Sequence, residues 1–185
     1  MPLRKLETLA SKSLHKNPYW EYRLDNYTLP NGNVGEYHIV HTPGSTVVVP
    51  IHADGSLVLV RQFRYLWKKE SLEFPCGGVK GGDYEATARA ELAEEAQLAA
   101  DTLRQIGIFN PFNGVTDEVC KVYLATGLTD SARERDESEE FEILKVSLAE
   151  FEQLAEEGKI WDGMTLAAWV LARKSVNDYL KKENQ

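Results

Sequence analysis

Three glutamates near the middle of the chain have a spacing that brings their carboxylates together. Glu91, Glu94 and Glu95 follow an i, i+3, i+4 pattern, which places three side chains on one face of a helix. Like charges at this spacing repel one another, so solvent or a bound cation must offset the cost. Carboxylates on a rigid helix suit Mg²⁺, which retains water molecules and bridges substrate phosphates. The triplet therefore predicts either a solvated acidic face or a magnesium site.

The residues that precede the triplet favour the magnesium site. A short strand predicted over 72–74 ends at Pro75, and a loop with glycines at 77, 78, 81 and 82 follows it. Asp83 is placed to cap a helix predicted over 84–97. The two cysteines lack CxxC spacing and the four histidines form no HExxH pattern. Neither a zinc site nor a disulfide framework is therefore expected.

The remaining periodicity predicts an α/β fold with a mixed sheet and few helices. Asn31-Gly32 is a hairpin turn signal, because both residues tolerate a positive φ. The segment before it, 1–17, is polar and is predicted to be partly mobile or helical. We expect an N-terminal hairpin region over 1–45 and a main domain over 46–185. The predicted strands are 19–27, 35–41, 46–52, 56–63, 72–74, 103–109, 119–126 and 142–146, and two closing helices span 148–157 and 165–181.

Composition narrows the classes of partner. The chain has 185 residues and a formal net charge of -8 at pH 7. This balance argues against binding to long nucleic acids, which favour basic proteins. No apolar run approaches the roughly 20 residues of a membrane-spanning helix, and the N-terminus lacks a signal-peptide core. A cytoplasmic location and no membrane partner are therefore expected.

The segment over 74–98 resembles the Nudix box. Gly77 and Asp83 match its first glycine and acidic residue, and 91–95, with the letters ELAEE, match its centre. The segment departs from the pattern in a loop one residue short, in Ala90 where arginine is usual, and in Gln97 where glycine is usual. Arg89 precedes the expected arginine position and is a candidate partner for one of these carboxylates.

Sequence outside the box is similar to the ADP-ribose pyrophosphatase branch of Nudix enzymes. The similarity extends over nearly the whole chain and includes the segments 42–44, 60–64, 72–77, 110–114, 117–118 and 157–165. It implies an α/β/α Nudix sandwich and a homodimer with an exchanged, domain-swapped N-terminal hairpin. It also implies hydrolysis of the pyrophosphate of nucleoside diphosphate sugars, including ADP-ribose, to a nucleoside monophosphate and a sugar phosphate. Mg²⁺ is the implied cofactor, with Mn²⁺ as a substitute.

The resemblance also implies the metal ligands. Glu91 and Glu95 match the principal carboxylate ligands, and Glu94 matches a residue that binds a second metal or orients its neighbours. The usual Pro-Ala-Gly of the branch is Pro75-Cys76-Gly77 here. The carbonyl of its middle residue ligates metal, so Cys76 is expected to act through its backbone. Its thiol is expected to be a small buried group.

Further site residues follow from the same resemblance. A glutamate in a loop before the last strand activates the attacking water, which points to Glu140, or alternatively Glu139, in the acidic run 136–142. Trp20 and Tyr22 match aromatics that sandwich the base, although sheet packing also explains them. Arg64 is expected to contact a phosphate through its planar guanidinium.

Three alternatives stay open at the level of sequence. One is an enzyme strictly specific for ADP-ribose. Another is a ligand-sensing Nudix domain without catalysis, which is suggested by Ala90, Gln97 and the shortened loop. The third is a scaffolding dimer in which the acidic triplet is incidental. The preferred base and sugar cannot be predicted, because they depend on pocket shape.

Overall fold

The computed structural model of the protein describes residues 3, 5–131 and 142–183. The chain divides into two compact units. The first unit contains Met1–Gly44 and Asn110–Val119. The second unit contains Ser45–Phe109 and Cys120–Gln185. Each unit has its own sheets, and the glutamate triplet belongs to the second.

The first unit is built on an antiparallel sheet of three strands in the order β1-β2-β3. These strands are β1 (Thr8–Lys16), β2 (Glu21–Thr28) and β3 (Val34–His41). The predicted turn between β2 and β3 is confirmed, since Gly32 has a φ of 88°. The prediction of a mobile or helical N-terminus was wrong over β1. This polar segment has little strand signal of its own, and its hydrogen bonding to β2 determines its conformation.

The second unit contains two sheets. One is a three-stranded antiparallel sheet in the order β10-β5-β6. The other has the order β7-β4-β9-β8 and is mixed, because β4 and β9 are parallel while the other pairs are antiparallel. The strands are β4 (Ser45–Pro50), β5 (Leu57–Arg64), β6 (Lys69–Glu73), β7 (Cys76–Gly78), β8 (Leu98–Phe109), β9 (Cys120–Asp130) and β10 (Glu142–Val146).

Helices cover both faces of these strands. Helix α1 (Tyr84–Glu95) packs on one apolar cluster, to which β4, β5 and β9 contribute alternate residues such as Val48 and Val58. Helices α2 (Leu148–Glu156) and α3 (Gly163–Glu183) pack on the second cluster, which holds the intervening residues such as Val47 and Leu57. This arrangement confirms the expected α/β/α sandwich with a mixed sheet.

The end of α1 differs from the sequence-based expectation. The helix was predicted to reach Gln97, but it ends at Glu95, and Ala96 caps it with an N–H donated to the Leu92 carbonyl. Gln97 has a φ of 54°, a left-handed conformation that cannot continue a right-handed helix.

Across the described residues, none of the helices combines the length and the apolar character needed to cross a membrane.

Candidate metal and diphosphate site

Helix α1 is oriented by its cap and by its apolar face. The Asp83 side chain accepts a hydrogen bond of 3.0 Å from the Ala86 N–H, which satisfies one of the free donors at the start of the helix. Ala88 and Leu92 are buried against the strands. Glu95 lies three residues after Leu92, about one helical turn, and therefore on nearly the same face of the helix. It is only 6% exposed. Packing therefore directs a carboxylate toward the sheet.

The α1 carboxylates meet the backbone of Cys76 and Gly77. The Cys76 N–H donates a hydrogen bond of 2.9 Å to Glu95 Oε2. A Cβ added at Gly77 would lie 2.2 Å from both Cδ and Oε1 of Glu91. Only glycine leaves room for this carboxylate, so the glycine at the strand end is explained by close approach of Glu91. The structure thus brings together Glu91, Glu95 and Cys76, three of the predicted metal-site residues.

Hydrogen bonds from α3 and β4 hold the segment that leads into Cys76. The Phe74 N–H donates to Thr165 Oγ1 over 3.0 Å, and the Thr165 N–H donates to Asp162 Oδ2 over 2.7 Å at the start of α3. The Pro75 carbonyl accepts from the Val48 N–H of β4 over 2.9 Å. Because α3 and β4 both hold the backbone just before Cys76, the Cys76 and Gly77 peptides form a rigid partner for the α1 carboxylates.

A buried hydroxyl lies on the same face of the sheet. Thr46 pairs directly with Gly77 in the β4–β7 ladder, so its side chain points to the face occupied by the Glu91 carboxylate. Thr46 is fully buried, and its Oγ1 has no hydrogen-bond partner in the described structure. An unpaired buried hydroxyl is costly, which is consistent with a water molecule or ligand at this position. Sequence reasoning missed Thr46 because a β-branched residue in a strand gives no functional signal.

The donor set fits Mg²⁺. Glu91 and Glu95 carry hard carboxylate oxygens of the type that Mg²⁺ prefers, and Gly77 leaves open space beside the Glu91 carboxylate. Among residues 3, 5–131 and 142–183, no three His, Cys, Asp or Glu side chains form a group that could hold a metal by themselves. Magnesium does not require such a cage, because it commonly takes one or two carboxylates and completes its shell with water and substrate phosphates.

The Cys76 side chain has the properties expected of a packing residue. The residue is half-buried, and its thiol packs against the cluster below α2 and α3. Burial, together with the charges of Glu95 and Asp162, raises the pKa of the thiol well above its usual range. A neutral thiol is a poor nucleophile and a poor metal ligand. This geometry leaves the backbone as the part of Cys76 available for chemistry.

Arg64 lies at the end of β5 and forms a fork with a buried carboxylate. Its Nε donates to Glu73 Oε1 over 2.7 Å, and its Nη2 donates to Oε2 of the same residue. Glu73 is 2% exposed, whereas 43% of the Arg64 side chain is exposed. The hydrogen bonds that Arg64 donates to Glu73 raise the pKa of the guanidinium. The sequence signal that could have identified Glu73 is its position as a charged residue between the apolar Leu72 and Phe74.

Other predicted residues lie as follows. Glu94 is half-buried on α1. Arg89 lies on the first half of α1. Its guanidinium donates to Glu85 over 3.0 Å and to the Ala100 carbonyl over 3.2 Å. Glu139 and Glu140 lie outside the described residues, so their role stays a prediction.

The predicted base-binding aromatics belong to the first unit. Trp20 is 40% exposed, and its ring contacts that of His15 at a centroid distance of 5.6 Å. It lines a cavity of about 170 Å³ together with Arg23 and His41. The Tyr22 hydroxyl instead shares a 2.9 Å hydrogen bond with His38 Nδ1, and the two rings stack. Of the two aromatics, Trp20 is the more exposed.

Fold and site together define the class of protein. Residues 41–168 match the NUDIX domain, which is more than half of the chain, so the chain belongs to the NUDIX family. The family expected from the sequence is confirmed.

Known proteins place the chain more closely within this family. It is 32% identical over 165 residues to the ADP-ribose pyrophosphatase of Bacillus subtilis strain 168, with 88% of this chain and 89% of that protein covered. It is 30% identical over 165 residues to the methanol dehydrogenase activator of Bacillus methanolicus, with the same shares covered. A crystal structure of an ADP compounds hydrolase superposes with a TM-score of 0.82 at 20% identity. That superposition covers 96% of this chain and 97% of the other, and it supports the shared fold.

Proposed function

We propose that this protein hydrolyses the pyrophosphate bond of nucleoside diphosphate sugars, including ADP-ribose. The products are a nucleoside monophosphate and a sugar phosphate. The observation that carries this proposal is the pair of α1 carboxylates held against the Cys76–Gly77 backbone. Membership of the NUDIX family and the 32% identity to an ADP-ribose pyrophosphatase support the same reaction.

The residues that would hold Mg²⁺ are Glu91, Glu95 and the Cys76 carbonyl, with Glu94 available for a second ion. When bound, Mg²⁺ offsets the negative charge of the diphosphate oxygens and increases the electrophilicity of phosphorus. The protein contributes rigidity. Glu95 is buried and hydrogen-bonded, and the strand end is held by Thr165 and Val48. Such pre-organisation removes the cost of arranging ligands during the reaction.

Arg64 is the proposed phosphate contact. Its guanidinium is partly exposed and carries a permanent charge, which suits paired hydrogen bonds to phosphate oxygens.

Glu140, with Glu139 as the alternative, is the proposed general base. In this step the base accepts a proton from water, the water oxygen bonds to one phosphorus, and the bond from that phosphorus to the bridging oxygen breaks. The bridging oxygen leaves with the second phosphate.

The first unit is proposed to recognise the base. An aromatic face such as the partly exposed Trp20 ring stacks on any nucleobase, which fits a broad substrate range. Tyr22 is proposed as the second aromatic. We further propose a cytoplasmic homodimer with an exchanged N-terminal hairpin region over 1–45 and a hydrolase domain over 46–185. Sedimentation showing an active monomer would contradict the dimer.

The test is turnover of a panel of nucleoside diphosphate sugars with Mg²⁺, with both products identified by chromatography. A nucleoside monophosphate and a sugar phosphate from several substrates would support the proposal. Turnover of ADP-ribose alone would support the strictly specific enzyme. Binding without turnover would support the ligand-sensing alternative.

Glu140→Gln should lower kcat by roughly 10²–10⁴-fold with metal binding intact, and Glu139→Gln is the comparison that identifies the base.

The relative named as a methanol dehydrogenase activator motivates one additional arm of this test. Methanol dehydrogenase activity is measured with and without the protein, using wild type and Glu95→Gln. Stimulation by wild type would add an activator role to the proposed hydrolase.

A further inference from the structure

Glu73 is the buried carboxylate closest in sequence to the predicted metal-site backbone. It is the last residue of β6, three positions before Cys76. Its side chain is 3% exposed. A buried carboxylate in this position is costly unless it is paired, so a specific partner is required. The Arg64 guanidinium donates to it, and the Gln62 amide donates more weakly at 3.4 Å.

The fork between Glu73 and Arg64 fixes the guanidinium plane. Both carboxylate oxygens are used, one by Nε and the other by Nη2. A bidentate pair of this kind defines orientation as well as distance. Nη1 and the second Nη2 hydrogen belong to the other edge of the guanidinium, so the fork leaves that edge for another acceptor. An arginine without this carboxylate would sample many rotamers, since its side chain is 43% exposed.

Chain connectivity places the pair next to the candidate metal site. Glu73 ends β6, and only Phe74 and Pro75 separate it from the Cys76 backbone. Arg64 ends β5, which pairs with β6. Arg64 therefore places a positive charge on the strand pair that leads into the Cys76–Gly77 segment.

We propose that Glu73 is a positioning residue for the substrate diphosphate, acting through Arg64. The carboxylate holds one edge of the guanidinium so that the other edge is pre-oriented toward a phosphate oxygen. This inference rests on the proposed function, because it assigns Arg64 to a substrate phosphate. Glu73 itself touches neither substrate nor metal.

The test compares Glu73→Gln with wild type in steady-state hydrolysis of ADP-ribose with Mg²⁺. Glutamine keeps the shape but places an amide donor opposite Nη2, which breaks the fork. KM should rise about tenfold to a hundredfold, and kcat should change much less, because the contact is present in the ground state. The matched control is Glu70→Gln on the same strand. The Glu70 side chain is 65% exposed and pairs with Arg61, so KM should stay within about twofold of wild type.

A double-mutant cycle separates positioning from a merely structural role. Arg64→Lys retains the charge but loses the fork, so it should raise KM by a similar factor. If Glu73 acts through Arg64, adding Glu73→Gln to Arg64→Lys should raise KM by less than about twofold more. Additive effects on KM would overturn the inference. Melting temperatures, measured in parallel, report any purely structural loss.

Two further results keep the test decisive. If Glu73→Gln does not fold, Glu73→Asp replaces it, since the shorter side chain cannot reach both guanidinium nitrogens. An unchanged KM in either folded variant would overturn the inference while leaving the proposed function intact. A wild type that hydrolyses no nucleoside diphosphate sugar would overturn both.

Discussion

The two faces of the second unit use the same strands for different purposes. Toward α2 and α3, the strands bury an apolar cluster in which the Phe74 and Phe151 rings stack at 5.3 Å and Trp169 packs against Phe151 at 4.8 Å. Toward α1, the apolar cluster adjoins buried polar groups, namely Glu73, Glu95 and Thr46. Alternation along each strand produces this separation, because successive side chains point to opposite faces.

The difference indicates where stability and activity reside. Apolar burial stabilises the fold, whereas buried carboxylates are unfavourable unless a partner compensates them. The face below α2 and α3 is therefore expected to determine stability. The α1 face is expected to determine activity. Substitutions matched across the two faces can break or sharpen this distinction.

The largest effect is expected from Phe151→Ala on the α2 side. The residue is fully buried between two aromatic rings, so its removal leaves a cavity. The free energy of unfolding should fall by about 3–5 kcal/mol, with KM little changed in the protein that remains folded. Chemical denaturation measures the first and steady-state kinetics the second. A large rise in KM without loss of stability would contradict the separation of the two faces.

On the α1 side, Glu95→Gln should have the opposite signature. It preserves size but removes the charge that would hold metal, so kcat/KM should fall roughly 10²–10³-fold. Stability should change little, because the amide oxygen still accepts the hydrogen bond from the Cys76 N–H. The two readouts are kcat/KM and the melting temperature, with Glu156→Gln on the exposed side of α2 as control. Full activity in Glu95→Gln would remove this residue from the site.

The local features of α1 were predictable from the sequence. The Asp83 cap is a local signal and is confirmed, and the glutamates lie on the predicted helix, while the metal site they indicate stays a prediction. β1 and the role of Glu73 were not predicted, because each depends on pairing with a neighbouring strand. β1 pairs with β2, and Glu73 pairs with Arg64 across the β5–β6 hairpin. A hydroxyl such as that of Thr46 becomes informative only when its burial is known.

A pair of glycines offers a finer comparison of the two faces. A Cβ at Gly77 would overlap the Glu91 carboxylate, and a Cβ at Gly107 would lie 2.9 Å from Leu171 Cδ1 of α3. Gly77→Ala should lower kcat/KM about tenfold to a hundredfold, because it displaces a positioned group. Gly107→Ala should instead cost about 1–3 kcal/mol of stability by overpacking. The same two assays apply, and equal effects on activity would argue against the distinction.

The smallest effect is expected from Cys76→Ala, which introduces the residue usual in the ADP-ribose pyrophosphatase branch. If Cys76 acts through its backbone, kcat/KM should stay within about threefold of wild type at neutral pH, since only a packing atom is lost. A loss of a hundredfold would instead assign the thiol to the chemistry.

The same variant also predicts a pH dependence of stability. Burial raises the pKa of the folded thiol, so at high pH the unfolded chain ionises at Cys76 while the folded protein does not. The contribution to stability is complete below the ordinary thiol pKa and is lost as pH rises above it. Wild type should therefore lose more stability between neutral and alkaline pH than Cys76→Ala does. Denaturation curves at several pH values measure this difference.

The central claim, that α1 and the Cys76–Gly77 backbone form a divalent-metal site, is tested most directly by Mn²⁺ titration followed by electron paramagnetic resonance. This measurement requires no substrate and no turnover. Wild type should bind Mn²⁺, and the double substitution Glu91→Gln with Glu95→Gln should raise the Kd by more than about tenfold, because both carboxylate ligands are lost. Glu152→Gln, an exposed carboxylate on α2, should leave the Kd unchanged. An unchanged Kd in the double variant would contradict the claim.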